Sequence, residues 1–232
     1  GLSATASMSI DIGPDSPSFA LLDASNTGAS NVLSQGGLRT DHDAPNTFQS
    51  VAGTIPLPRM GSAYFEATTV NVASAADSYT IRLGIVPAGT DFSTRVGRDH
   101  PHLIGYFAGE YALNLTTQSS QGAHAVSDYQ TTGTLGSPIQ TGFGFADGHA
   151  IGLLYEADAG SQPGTGRLSW TYDGVAQGVV HDNIPAGDYV FASTSGDFAV
   201  DYNFGQTDFA YSDNAAVGLF TDGSAATPVL DG

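Results

Sequence analysis

The chain has no cysteine and no lysine. The first absence removes disulfides, thiolate nucleophiles and cysteine-based zinc sites. The second removes a Schiff-base amine and the lysine of a phosphate-binding loop. All six basic residues are arginines, at 39, 59, 82, 95, 98 and 167, and they stand against 20 Asp and only three Glu, for a formal charge of −17. Such a field repels nucleic acid and anionic bilayers over most of a surface, so neither nucleic-acid binding nor membrane insertion is expected. No apolar run approaches the roughly 20 residues that a spanning helix needs. Aspartate in place of glutamate points to acids in turns and loops, where a short carboxylate bonds nearby backbone, and to a solvated acidic surface. The chain opens on Gly1 rather than Met, as expected of a start that has been removed.

Glycine (30 of 232 residues), Ser and Thr punctuate short alternating runs, and no helical periodicity of any length interrupts them. Many short strands around one large core follow from that pattern. Ala4 to Ile12 alternates without a fault, and Phe19 to Leu22 reads as a short strand before a loop over Asp23 to Ser30. Asn31 to Thr40 reads as strand, Gly-Gly turn, strand. Phe48 to Ile55, Ala63 to Val72 and Tyr79 to Val86 follow as strands, the last two belonging to the core. Pro87 to Glu110 is irregular, with a short strand over Leu103 to Phe107. Tyr111, Leu113 and Leu115 mark another strand, and Thr116 to Asp147 is Gly-rich with weak strand signals near Val126 and Phe143.

The densest signal comes later. Leu168, Trp170 and Tyr172 alternate with Ser169 and Thr171 before an Asp173-Gly174 turn, a strong hairpin signature. Strands over Ala150 to Tyr155, Tyr189 to Ala192 and Phe198 to Phe204 flank it, which predicts an antiparallel meander of four or five strands. Alternation places Trp170, the only tryptophan, in the core rather than on a binding face.

Four pieces in this order carry a resemblance. They are Ser50-Val51-Ala52-Gly53 with Gly61 to Glu66; Ile81 to Val86; Asp147 to Tyr155 followed by Gly166 to Gly174; and Asp201-Tyr202-Asn203-Phe204-Gly205-Gln206 through Phe209 to Tyr211. Together they resemble the SPRY domain family, in its prokaryotic or phage type, with Asp173 standing where the family has Asn. The resemblance implies an all-β fold, a two-sheet antiparallel β-sandwich of concanavalin-like jelly-roll form. It also implies a non-catalytic module that binds partners, usually proteins, through loops at one end. The expected organisation is an N-terminal extension over 1–47 whose strands pack on the sandwich or on a neighbouring subunit, the sandwich over 48–211, and a C-terminal extension over 212–232.

Catalysis finds little purchase. Glu156-Ala157-Asp158 sets two carboxylates two positions apart on a strand, a spacing that a glycosidase could use, but Ser161 stands where the glucanase pattern has a further Glu. No G-x-S-x-G elbow supports a serine nucleophile. Asp99-His100-Pro101-His102 and Asp41-His42-Asp43 offer imidazoles and carboxylates without a visible third metal ligand. Asp-rich loops leave calcium open, although none fits the 12-residue calcium loop. Asn114-Leu115-Thr116 is a formal glycosylation sequon in a strand-like run.

Arginine and aromatic side chains dominate binding hot spots. The predicted partner-binding residues are therefore Arg95, Arg98, His100, His102 and Tyr106 in the irregular loop, joined by Tyr129. The reading is a recognition or assembly module of an extracellular surface or virion that binds a protein or surface glycan and needs no cofactor. A purely structural virion or fibre subunit, forming a homo-oligomer or larger assembly, and a glycan-active hydrolase stay open beside it.

Overall fold

The structure is a computed structural model that describes residues 20–28, 31–42, 49–72, 80–92, 110–116, 122–127, 138–140, 142, 144–196 and 198–210. Alternating residues give each segment two faces rather than a helical stripe, and the described residues form fourteen strands and no helix. They pair antiparallel into two seven-stranded sheets. In spatial order, the first sheet contains β1 (Leu22–Thr27), β4 (Gln49–Pro56), β13 (Tyr189–Ser195), β6 (Thr80–Pro87), β7 (Tyr111–Thr116), β8 (Ala123–Ser127) and β9 (Pro138–Gln140). The second contains β12 (Val175–Pro185), β11 (Thr165–Tyr172), β10 (Ala150–Glu156), β5 (Ser62–Val70), β14 (Ala199–Asn203), β3 (Arg39–His42) and β2 (Asn31–Ser34).

The hairpin forms as the alternation predicts. Asp173 takes φ +48° and Gly174 φ +76°, the left-handed pair that a two-residue turn demands and that Asp or Asn tolerates. The meander, however, stops after β10, β11 and β12. β13 leaves for the first sheet, where it lies between β4 and β6, and β14 returns to the second between β5 and β3. The burial of β13 accounts for its place, because all but one of its residues are buried and only a central strand is covered on both faces. Two further expectations change. The segment read as a loop from Asp23 is strand β1 through Thr27, and the strand predicted over Phe19 to Leu22 is not described before Ala20. The predicted strands Ala4 to Ile12 and Leu103 to Phe107, and residues 212–232, lie outside the described residues.

Inward residues of both sheets interlock. Phe65 on β5 meets Phe191 on β13 edge-to-face at 4.6 Å, and Phe191 in turn meets Phe204 at 5.2 Å. Trp170 is 2% exposed within the same cluster as Leu153, Leu168 and Val200. On the outer face of the first sheet, one register line runs Ser50, Thr194, Arg82, Asn114, His124 across five strands. Ser50 and Thr194 hydroxyls bond at 2.6 Å, and the buried Arg82 donates from Nη1 to both Glu110 oxygens at 3.2 and 3.3 Å. Asn114 is 1% exposed and both its amide atoms lack partners, so this sequon offers no accessible acceptor in the folded chain. The neighbouring line is small, Ala52, Ala192, Gly84, Ala112. A Cβ on Gly84 would stand 2.6 Å from the Ala112 Cα, so the strands close at this point only over glycine.

The longest sheet edge among the described strands is β12, which carries three register shifts against β11. Its far half bends over the flank of the sandwich, where His181 Nε2 donates to the Ala112 carbonyl at 3.1 Å and the ring stands edge-on to Tyr111. Burial lowers the His181 pKa, outweighing the two backbone carbonyls that raise it. The folded state therefore resists a proton that the unfolded chain accepts below about pH 6.5. Stability is complete above that value and falls as the pH drops through it. A His181→Gln variant, which keeps the donor but cannot titrate, should show a flatter loss of melting temperature between about pH 7 and 5. Superimposable pH profiles for the two proteins would show that His181 contributes nothing.

Candidate interaction site

Three loops converge at the end of the sandwich where β4, β6, β10 and β12 finish. The first, 57–61, is clamped at both ends. Leu57 is buried and donates its N–H to the Tyr189 carbonyl at 2.8 Å, and the Gly61 carbonyl accepts from Ala157 at 2.9 Å. Pro56 sets the entry to the loop and Pro58 stiffens the run between the clamps. The second loop, 157–164, is stapled to β12. Asp182 accepts from the Ser161 N–H at 2.9 Å and from its hydroxyl, and Asn183 accepts from the Gln162 N–H at 2.7 Å. These bonds hold the exposed Asp182 carboxyl below its ordinary pKa. In the third loop, 186–188, the Asp188 carbonyl accepts from Ala88 at 2.8 Å, which ties the loop to the end of β6.

Between them lies a cleft of about 220 Å³ lined by Arg59, Tyr155, Ala157, Asp158, Ala186, Gly187 and Asp188. Arg59 spans its rim with a two-pronged bond to Asp188, Nε and Nη2 each at 2.7 Å, although its side chain is 76% exposed. An ion pair this open is worth roughly 0–1 kcal/mol, so it fixes the direction of the guanidinium more than it stabilises the fold. Met60, the next residue, is 78% exposed, the most open large apolar side chain among those described. Within the cleft, burial and then the Asp158 carboxylate push the Tyr155 phenol above its ordinary value, so it stays neutral. Neither the Tyr155 hydroxyl nor Asp158 has a hydrogen-bond partner among the described residues. The cleft therefore holds two carboxylates against one guanidinium, with one carboxylate open.

Solved structures with the same arrangement include SPRY domains. The SPRY domain of human HERC1 superposes with a TM-score of 0.54 at 10% identity, covering 81% of this chain and 99% of that one. A human SPRY domain gives 0.52 at 16% identity over 79% of this chain and 100% of the other, and the PSpry domain of TRIM65 gives 0.54 at 12% over 80% and 90%. The chain has the SPRY fold. No sequence-family model and no curated protein sequence matches it.

Two of the motifs that carried the resemblance serve the SPRY sandwich itself. In Asn203-Phe204-Gly205-Gln206, Asn203 Oδ1 accepts from Gly205, its Nδ2 donates to the carbonyls of Thr207 and Asp208, and Gln206 closes the turn on Phe204 and Tyr202. Phe209 then packs edge-on to Tyr64 at 4.8 Å, and Ala210 donates to the buried Glu66 at 2.8 Å. In the hairpin turn, Asp173 accepts from Ala150 at 3.0 Å and from His149 Nδ1 at 2.5 Å, while His149 stacks on Tyr172.

Arg95, Arg98, His100, His102, Tyr106 and Tyr129 lie outside the described residues. The strand ends that flank them, Pro87 and Tyr111, Ser127 and Pro138, stand at the cleft end of the SPRY sandwich. Asn26 clamps the chain where it leaves β6, donating to the Thr90 carbonyl and accepting from Phe92 N–H, both at 2.8 Å. The carboxylate pair weighed for hydrolysis is split. Glu156 is bound by Arg167 at 2.7 Å, and Asp158 enters the cleft without it. Among the described residues no three His, Asp or Glu side chains converge on a point that could hold a metal.

Arg59, Met60 and Asp188 escaped the sequence reading. Their signal was present in one place, an arginine and a methionine held between Pro58 and Gly61 in a chain with six cations and two methionines.

Proposed function

We propose that this protein is a non-catalytic interaction module that docks a protein partner at the loop end centred on Arg59, Met60 and the adjoining cleft. The supporting observation is Met60. A clamped turn presents a methionine to solvent beside an oriented arginine, and Met and Arg are among the residues enriched where interfaces bury their centres. Trp170 is sealed in the core and is not available to stack on a sugar, and the exposed Met60 and oriented Arg59 suit a protein partner. An extracellular surface or virion belongs to the same proposal, supported by a strongly acidic chain free of Cys and Lys.

Met60→Glu, with Val175→Glu as its control, tests the reading. Val175 is 63% exposed at the opposite end of the sandwich. Partner capture from the source organism should fall at least about tenfold for Met60→Glu and hold for Val175→Glu. The reverse pattern would move the docking surface to the hairpin end. Recovery of a second copy of this chain would make the module a self-assembling subunit.

A further inference from the structure

The cleft says more about that partner. We propose that it receives a cationic side chain, arginine or lysine, from the docked protein, with Asp158 as the counter-ion. This rests on the docking end proposed above. Its size decides the class of occupant, since pockets for drug-sized ligands run from about 300 to 1,000 Å³ and this one offers about 220 Å³, room for one side chain. Its charge decides the sign. Arg59 is committed to both oxygens of Asp188, which leaves the Asp158 carboxylate uncompensated in a chain of formal charge −17.

The remaining groups suit the same guest. Tyr155 is buried in the core with its oxygen in the lining of the cleft, and it stays neutral, so that oxygen can accept from an incoming N–H. Ala157, Ala186 and Gly187 keep the walls low and apolar for an aliphatic stem. A guanidinium could meet Asp158 with two parallel bonds, which an ammonium cannot. An anionic guest would face two carboxylates, and the side-on edge of Arg59, Nε and Nη2, is already turned to Asp188.

Titration of the isotope-labelled protein with N-acetyl-arginine methylamide, its lysine counterpart and its uncharged citrulline counterpart, followed by amide NMR, tests the inference. The arginine probe should produce saturable shifts at Ala157, Gly187 and Asp188 that vanish in Asp158→Asn. The lysine probe should bind the same amides more weakly, and the citrulline probe should leave them unmoved. Equal response to citrulline, persistence in Asp158→Asn, or shifts spread over the acidic surface would overturn it. Partner capture separates the two proposals: if Met60→Glu loses the partner and Asp158→Asn retains it in full, the docking end stands and the cationic guest falls.

Discussion

Replacing Trp170 with alanine should cost the fold about 3–5 kcal/mol, a large share of the 5–15 kcal/mol that typically separates native from unfolded domains. The side chain is 2% exposed on a strand whose alternate residues, Leu168 and Trp170, point into the space between the sheets. Alanine there forfeits the transfer energy of an indole and leaves a void that β10 and β13 cannot close without breaking their own registers. Urea unfolding of the variant should show a midpoint lowered by at least about 1 M. A variant that unfolds with the wild-type midpoint while losing partner capture would put the tryptophan at the interface and the present assignment of core and site in reverse.

Glu110→Gln should be comparably severe for a different reason. Arg82 and Glu110 are 2% and 3% exposed, and both ions have left water behind. Removing one charge of a buried pair costs about 3–5 kcal/mol, whereas replacing both by apolar residues of similar volume is often neutral. The double variant Arg82→Met/Glu110→Leu should therefore melt well above Glu110→Gln. Equal melting temperatures for the single and double variants would show that the pair is not energetically coupled.

What could be read from the sequence was whatever a short window contains. The β11 hairpin was legible because its alternation and its Asp-Gly turn are adjacent, and so was the β2 to β3 turn over Gln35 to Leu38. β12 was not, because its register shifts insert extra residues and break the period of two on which strand reading depends. β1 hid behind Asp23, Ser25 and Asn26, residues that favour turns. Its strand character comes from β4, through the Leu21 carbonyl accepting from Thr54 and Gly28 donating to the Ser50 carbonyl. The passage of β13 and β14 between sheets depends on which partners lie far away in the chain, and no local pattern encodes that. The cleft shares the difficulty, since residues near 59, 157 and 187 meet only after both sheets have formed.

The kinked outer strand of the second sheet has a bearing on how copies of this protein can live together. A straight eleven-residue border with exposed Val175 and Val179 would invite a neighbouring molecule to zip onto it, backbone to backbone. Each inserted residue along β12 throws the next donor and acceptor out of step, so a second chain could match a few bonds at most before losing phase. Copies set flank to flank would therefore remain separate bodies rather than one continuous sheet.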